Sequence, residues 1–189
     1  MGEERRARSR CSFFLPPSAF ILAFAALLVT TAAPAAELHG SVVGVSDGDT
    51  ITVLDGARQP RKVRLAGIDA PEMRQPYGAR AKQNLAALVF GKPVLVVWHK
   101  RDRYRRIVGH VLLAAPGDCG QPDCARLADA GLAQIESGMA WHYKRFQAEQ
   151  TPEERSRYAR AEQEARTRRE GLWQDSDPIP PWQYRNHRG

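Results

Sequence analysis

From Gly40 onward the apolar residues come in short bursts, Val42-Val43-Gly44-Val45 and then Thr50-Ile51-Thr52-Val53-Leu54, broken by the turn signal Asp47-Gly48. Runs of β-branched residues bounded by Asp-Gly predict strands joined by tight turns. A second signal, Asp55-Gly56, precedes Lys62-Val63-Arg64-Leu65, so three strands follow one another as a meander. The period then changes. Between Tyr77 and Phe90, Ala81, Leu85 and Leu88 stand at i, i+4 and i+7, and Gly91 and Pro93 supply stop signals, which predicts a helix with one buried face. Strand character returns in Val94-Leu95-Val96-Val97-Trp98 and from Ile107 to Leu113.

A Gly/Pro/Cys loop from Ala114 to Asp123 separates these strands from a weaker helical pattern over Arg126 to Glu136, ending near Gly138. The last helix is marked more sharply. Thr151 is placed to cap it, with Pro152 at the first helical position, Glu154 completing a capping box, and Gly171 where a C′ glycine belongs. Its body, Glu153 to Glu170, is charged almost all round, with Tyr158, Ala161 and Ala165 as the packing stripe. The tail from Asp177 to Gly189, rich in Pro and Trp, either wraps the domain or is mobile. Five short strands, with one helix after the third and more after the fifth, give the element order of an OB-type barrel. The expected class is therefore mainly β with α (α+β), a five-stranded OB-type barrel with about three helices.

The 189 residues suffice for one domain with a hydrophobic core, and hence for one active site. The first 35 residues stand apart. Arg5, Arg6, Arg8 and Arg10 precede an apolar run from Phe20 to Val29 and then Ala33-Pro34-Ala35, the layout of a secretory signal cleaved after Ala35. Ten apolar residues are too few for a bilayer core that needs about 20, so no membrane span is expected after its removal. The domain then occupies 36–175 and the tail 176–189, and the protein is exported to the periplasm or the cell exterior. Removal of four Arg and two Glu lowers the formal charge from +7 to +5. The remaining excess attracts polyanions, which suits nucleic acid and anionic membranes alike. Of three cysteines, Cys11 leaves with the leader, while Cys119 and Cys124 flank a turn-rich stretch that brings them within reach of a disulfide in an oxidising compartment. A lone pair with four residues between lacks the four ligands of a zinc site.

Candidate chemistry begins with Asp47-Gly48-Asp49-Thr50 and Arg64-Leu65-Ala66-Gly67-Ile68-Asp69-Ala70-Pro71-Glu72. Alone, Asp-Gly is a common turn and Ala-Pro-Glu a common loop. Together they set Asp49, Asp69 and Glu72 at strand ends around Arg64, and hard divalent cations take just such oxygens together with waters and substrate phosphate. Asp102-Arg103-Tyr104-Arg105-Arg106, between the last two strands, adds guanidinium forks for phosphate and a ring for stacking; its bland reading is a solvated basic turn.

These three motifs, D-G-D-T, R-L-x-G-I-D-A-P-E and D-x-Y-x-R, occur in order and at compatible spacing, and over Gly40 to Trp173 the chain resembles the staphylococcal nuclease family. The resemblance implies a Ca²⁺-dependent phosphodiesterase that cuts DNA and RNA, single-stranded or locally melted by preference, leaves 3′-phosphates and works as a monomer. It implies Asp49 and Asp69 as calcium ligands with the backbone carbonyl of Ala70, Glu72 as the group that orients or deprotonates the attacking water, and Arg64 and Arg106 as the phosphate arginines. Arg103 and Tyr104 fall at its terminal-phosphate contact, and Trp141 and Tyr143 line its nucleotide pocket. Two departures stand out: Ala70 replaces a threonine, and Arg105 replaces a glycine ahead of Arg106, so that turn is open to a different shape. The Cys119 to Cys124 loop reads as an insertion. Two other readings compete, a non-catalytic OB-type module for single-stranded nucleic acid and an envelope protein that binds partners through its basic last helix and aromatic tail.

Overall fold

A computed structural model describes residues 35–114 and 127–186. The leader, save Ala35, and the Cys119 to Cys124 loop lie outside the described residues. The alternation in sequence becomes a barrel wall. Strands β1 (Ala36–Val45), β2 (Thr50–Asp55) and β3 (Pro60–Leu65) form the expected antiparallel meander. After β4 (Ile68–Asp69) and helix α1 (Gly78–Val89), β5 (Pro93–Arg101) returns beside β1, and β6 (Ile107–Ala114) pairs with β5. Parallel pairing of β3 with β6 closes the five strands β3-β2-β1-β5-β6 into the OB-type barrel. Ile51, Val53, Val63, Val96 and Val111 point inward and are fully buried. Each such side chain contributes about 1.5–3 kcal/mol through burial. Arg64 lies on the face opposite Val63 and Leu65, because side chains alternate along β3.

Helix α1 falls where the spacing placed it, with Ala81 and Leu85 buried on the barrel as expected; Val89 completes the fully buried face, while Leu88 is only partly buried against it. The next region differs from expectation. Leu127–Asp129 form a strand, β7, that extends the sheet beyond β6, and α2 (Ala130–Glu136) starts only after it. Asp129 is the reason, since its carboxylate accepts the N–H groups of Gly131 at 2.8 Å and Leu132 at 3.4 Å and so defines the first turn. Strand β8 (Trp141–His142) pairs with β4, setting Trp141 opposite Asp69. A 3-10 turn over Lys144–Glu149 leads to α3 (Pro152–Thr167), which carries the predicted capping box and buries Tyr158, Ala161 and Ala165.

Helix α3 ends three residues before the expected Glu170. Arg169, not Gly171, takes the left-handed conformation after its last turn, at φ 53°. Its N–H bonds to Arg166 O at 3.1 Å and that of Glu170 to Ala165 O at 2.9 Å, the two bonds of a Schellman ending. Gly171 serves another purpose. It crosses Gly138 so closely that a Cβ on either would lie 2.1–2.2 Å from a backbone oxygen of the other strand of the crossing, and the Leu172 N–H bonds to Gly138 O at 2.8 Å. Beyond the 3-10 turn Gly171–Gln174, the tail folds as helix α4 (Pro181–Asn186). Of the two alternatives for the tail, wrapping is the one observed. No helix among the described residues is long and apolar enough to cross a membrane.

Candidate active site

The turn between β1 and β2 delivers Asp49. Gly48 sits at its tip because a Cβ there would lie 2.6 Å from Ala70 Cβ and 2.7 Å from Ala81 Cβ, so the turn presses directly onto α1 and the chain after β4. Gln134 of α2 fixes it from behind, donating to Gly48 O at 2.6 Å. Asp49 is buried, accepts the Ala70 N–H at 2.9 Å and takes the Thr50 hydroxyl at 3.1 Å. Strand β4, held by β8, carries Asp69, whose side chain is 1% exposed.

Arg64 joins these acids. Its guanidinium lies 2.9 Å from Asp49 Oδ2 and 2.9 Å from Asp69 Oδ1, and donates to the carbonyls of Leu65 at 3.3 Å and Ile68 at 3.1 Å. Burial pushes the Asp49 carboxyl up to about 7; Arg64 opposes the shift, and the like charges of Asp47 and Asp69 add to it. Arg106 reaches the same place from the turn between β5 and β6, with Nε donating to Asp102 Oδ2 at 2.7 Å and Nη1 to Thr50 Oγ1 at 3.3 Å. Burial alone raises the Asp102 carboxyl, but bonds from Arg106 and from backbone N–H groups outweigh it and hold it below its ordinary value. The departure at Arg105 leaves the turn in the shape a glycine favours, because Arg105 itself adopts φ 65°. That conformation costs about 1–2 kcal/mol in an ordinary residue.

Glu72 is 42% exposed and meets the acids through a residue that the sequence did not single out, Arg185 of α4. Arg185 Nη2 lies 2.7 Å from Asp69 Oδ2, and its Nη1 donates to Glu72 Oε1 at 2.7 Å and to Asp69 Oδ1 at 3.3 Å. Burial by itself lowers the Arg185 pKa; the hydrogen bonds it donates to Asp69 and Glu72, with their negative charge, more than reverse this, and the net shift is upward. One chain of hydrogen bonds and ion pairs therefore runs from Asp102 through Arg106, Thr50, Asp49, Arg64, Asp69 and Arg185 to Glu72.

The aromatic and outer basic residues are arranged differently. Tyr104 is exposed, with Arg103 4.7 Å and Arg106 5.5 Å over its ring. Trp141 is not an open stacking platform: it is 7% exposed, edge-on to Trp173 at 4.4 Å and to Trp182 at 5.6 Å. Tyr143 faces Trp182 at 5.4 Å with an interplanar angle of 32°. Trp182 and Arg185 are thus the residues sequence reasoning missed. Their spacing of three, which puts both on one side of a helical turn, was the available signal.

Among the described residues no group of three or more His, Cys, Asp or Glu side chains is gathered to hold a metal ion. The oxygens that do converge, the Asp49 and Asp69 carboxylates around Arg64, are hard donors of the kind Ca²⁺ and Mg²⁺ take along with carbonyls and waters. Asp69 and Glu72 already share one positive group, the Arg185 guanidinium, so charge and space there suit a cation.

Fold and site together describe a closed OB-type barrel with an acid and arginine cluster at its rim. The chain belongs to the staphylococcal nuclease homologue family, whose model matches residues 62–175. It is 45% identical over 169 residues to Protein ParB of Escherichia coli, covering 88% of this chain and 91% of that protein. To the Micrococcal nuclease of Shigella flexneri it is 41% identical over 162 residues, 85% and 88% of the two chains. An Uncharacterized endonuclease of Escherichia coli is 37% identical over 153 residues, 81% and 88%.

Proposed function

We propose that the protein is an exported, Ca²⁺-dependent nuclease that hydrolyses phosphodiester bonds of DNA and RNA to leave 3′-phosphates. The observation that carries this reading is the continuous bonded chain linking Asp49, Asp69, Arg64, Arg106 and, through Arg185, Glu72, residues contributed by six separate segments. Membership of a family with endonuclease relatives supports it. The basic, apolar and small-residue layout of residues 1–35 supports export.

Asp49, Asp69 and the Ala70 carbonyl are the groups that would hold Ca²⁺, which supplies Lewis-acid polarisation of the phosphoryl oxygen. The rest follows from the side chains. Arg64 spends Nη1 and part of Nη2 on the protein, so its plane is fixed, and its Nε–H has no protein partner among the described residues. Arg106 is likewise oriented by Asp102 and Thr50, while its Nη2 has no hydrogen-bond partner among the described residues. Two pre-positioned guanidinium groups stabilise the extra negative charge of a five-coordinate phosphorus better than that of the ground state, and this difference accelerates the reaction. Glu72, the most exposed of the acids, orients a water and accepts its proton once Arg185 is displaced. Tyr104 and Tyr143 supply ring faces that any base can stack on, and phosphate contacts ignore sequence, so cutting is broadly unspecific.

The test is digestion of single-stranded and plasmid DNA by the chain from residue 36, in Ca²⁺ and in EGTA, alongside Arg64→Ala and Glu72→Gln. Cleavage should require Ca²⁺ and collapse in both variants. Equal cleavage by both variants would place the active site elsewhere, and no cleavage by any form would favour the non-catalytic module.

A further inference from the structure

Helix α4 is six residues long, far shorter than the roughly 12–15 residues an isolated helix needs to persist in water, so contacts with the barrel must hold it. Those contacts fall on the candidate site. Arg185 places one guanidinium against both Asp69 and Glu72, while Trp182 lies over the Trp141 and Tyr143 rings. The clamps at either end come from the loop after Glu72: Gln75 Nε2 donates to Ile179 O at 2.5 Å and Tyr184 Oη to Arg74 O at 2.9 Å. A cation on the acids, beside an aromatic ring on the aromatic floor, reproduces in protein the two features of a metal-bound nucleotide. Both cannot be present at once, because Arg64 hydrogen-bonds Asp69 Oδ1 while Arg185 takes Oδ2, and a divalent ion on Oδ2 would lie against the Arg185 guanidinium. Arg185 remains 43% exposed and α4 is attached through the irregular stretch 175–180, so release needs no unfolding of the barrel.

We propose that the segment from Pro178 to Asn186 is an internal competitor that occupies the cation and base positions of the site and is displaced when a divalent cation and a nucleic-acid strand bind together. Arg185 competes with the cation, and Trp182 competes with a base. This rests on the assignment of Asp69 and Glu72 to the active site. Arg185 is therefore neither a phosphate ligand nor a catalytic group: it bonds the acids that act on the ester, not the position of the ester itself.

The experiment uses the chain from residue 36 with Arg185→Ala, Trp182→Ala and both together. Calorimetric titration with Ca²⁺ alone should show roughly tenfold tighter binding in Arg185→Ala and little change in Trp182→Ala, as expected when one opposing charge contact is removed. Steady-state cleavage of a single-stranded oligonucleotide should show a lower KM in Trp182→Ala with kcat retained. Fluorine NMR of 5-fluorotryptophan protein, with the Trp182 signal assigned by Trp182→Phe, should show that signal moving to a solvent-exposed position on addition of Ca²⁺ and thymidine 3′,5′-bisphosphate. Unchanged or weaker Ca²⁺ binding in Arg185→Ala, or a fall in its kcat, would overturn the proposal while leaving Glu72→Gln inactive and the site intact. Absence of Ca²⁺ binding in every form, with Glu72→Gln as active as the parent, would overturn the site assignment as well.

Discussion

Two acids with several partners, the buried Asp69 at the rim and the partly buried Asp129 between β6, α2 and α3, differ in what their partners do. Among the described residues the Asp69 side chain is bonded by two arginines: Arg64, held in place by further bonds to Asp49 and the carbonyls of Leu65 and Ile68, and Arg185, which is 43% exposed. Asp129 is bonded by short or ring-fixed groups. One oxygen caps α2, and the other takes the Tyr158 hydroxyl at 2.7 Å and His110 Nδ1 at 3.2 Å. His110 in turn lies 3.7 Å from Glu154, whose other oxygen closes the capping box of α3 at 2.9 Å. The second cluster fastens one strand to two helices. Buried charge alone does not mark a site; flexible partners that can be exchanged do.

The largest effect that sharpens this contrast is on turnover. Arg64→Ala should lower kcat by about 10²–10³-fold, or roughly 2.7–4 kcal/mol of transition-state stabilisation, measured on single-stranded DNA under saturating Ca²⁺. Asp129→Ala should do the reverse, leaving kcat of the folded fraction unchanged while urea melts show about 3 kcal/mol less stability, because a cap and two buried partners are lost together. A large fall in kcat for that variant would break the distinction. Tyr158→Phe removes one bond of the same cluster and should cost about 1–1.5 kcal/mol in urea melts.

The smallest effect is a slope with pH. Burial lowers the His110 pKa, but Asp129 and Glu154 outweigh it and raise the group above its ordinary 6.5. A raised histidine stabilises fully below the unfolded value and loses that contribution as pH rises through the folded one. Relative to His110→Gln, the parent should thus lose stability between pH 6.5 and the folded pKa. An identical pH dependence in the two proteins would show that His110 does not titrate against this cluster.

What the sequence disclosed and what it hid divide by distance along the chain. The five barrel strands are legible because each buries one face, and the capping box is legible because Thr151 and Glu154 are three residues apart. Asp49, Arg64 and Asp69 stand out because their motifs are contiguous, though only the fold shows that they touch. The pairing of β4 with β8 left no trace, since each strand has two residues and no room for alternation. The α2 start was misplaced because Leu127–Asp129 are drawn into the sheet by pairing with Leu112–Ala114 of β6, a partner distant in sequence. For Arg185 the spacing of three from Trp182 was the one local signal, and it could not name partners, Glu72 and Asp69, that lie 113 and 116 residues earlier. The rings that cover Trp141 were hidden for the same reason, because Trp173 and Trp182 arrive from much later in the chain.

The meeting of Gly138 and Gly171 bears on how such a chain can diverge. With no side chains between them, two stretches of main chain rest on each other like crossed rails, each at a positive φ that other residues resist. Substituting either partner obliges the rails to part, and no change at the other can make up the lost space. The junction thereby anchors the main chain where it leaves the domain for the tail, so Trp182 and Arg185 reach the rim from a fixed starting point.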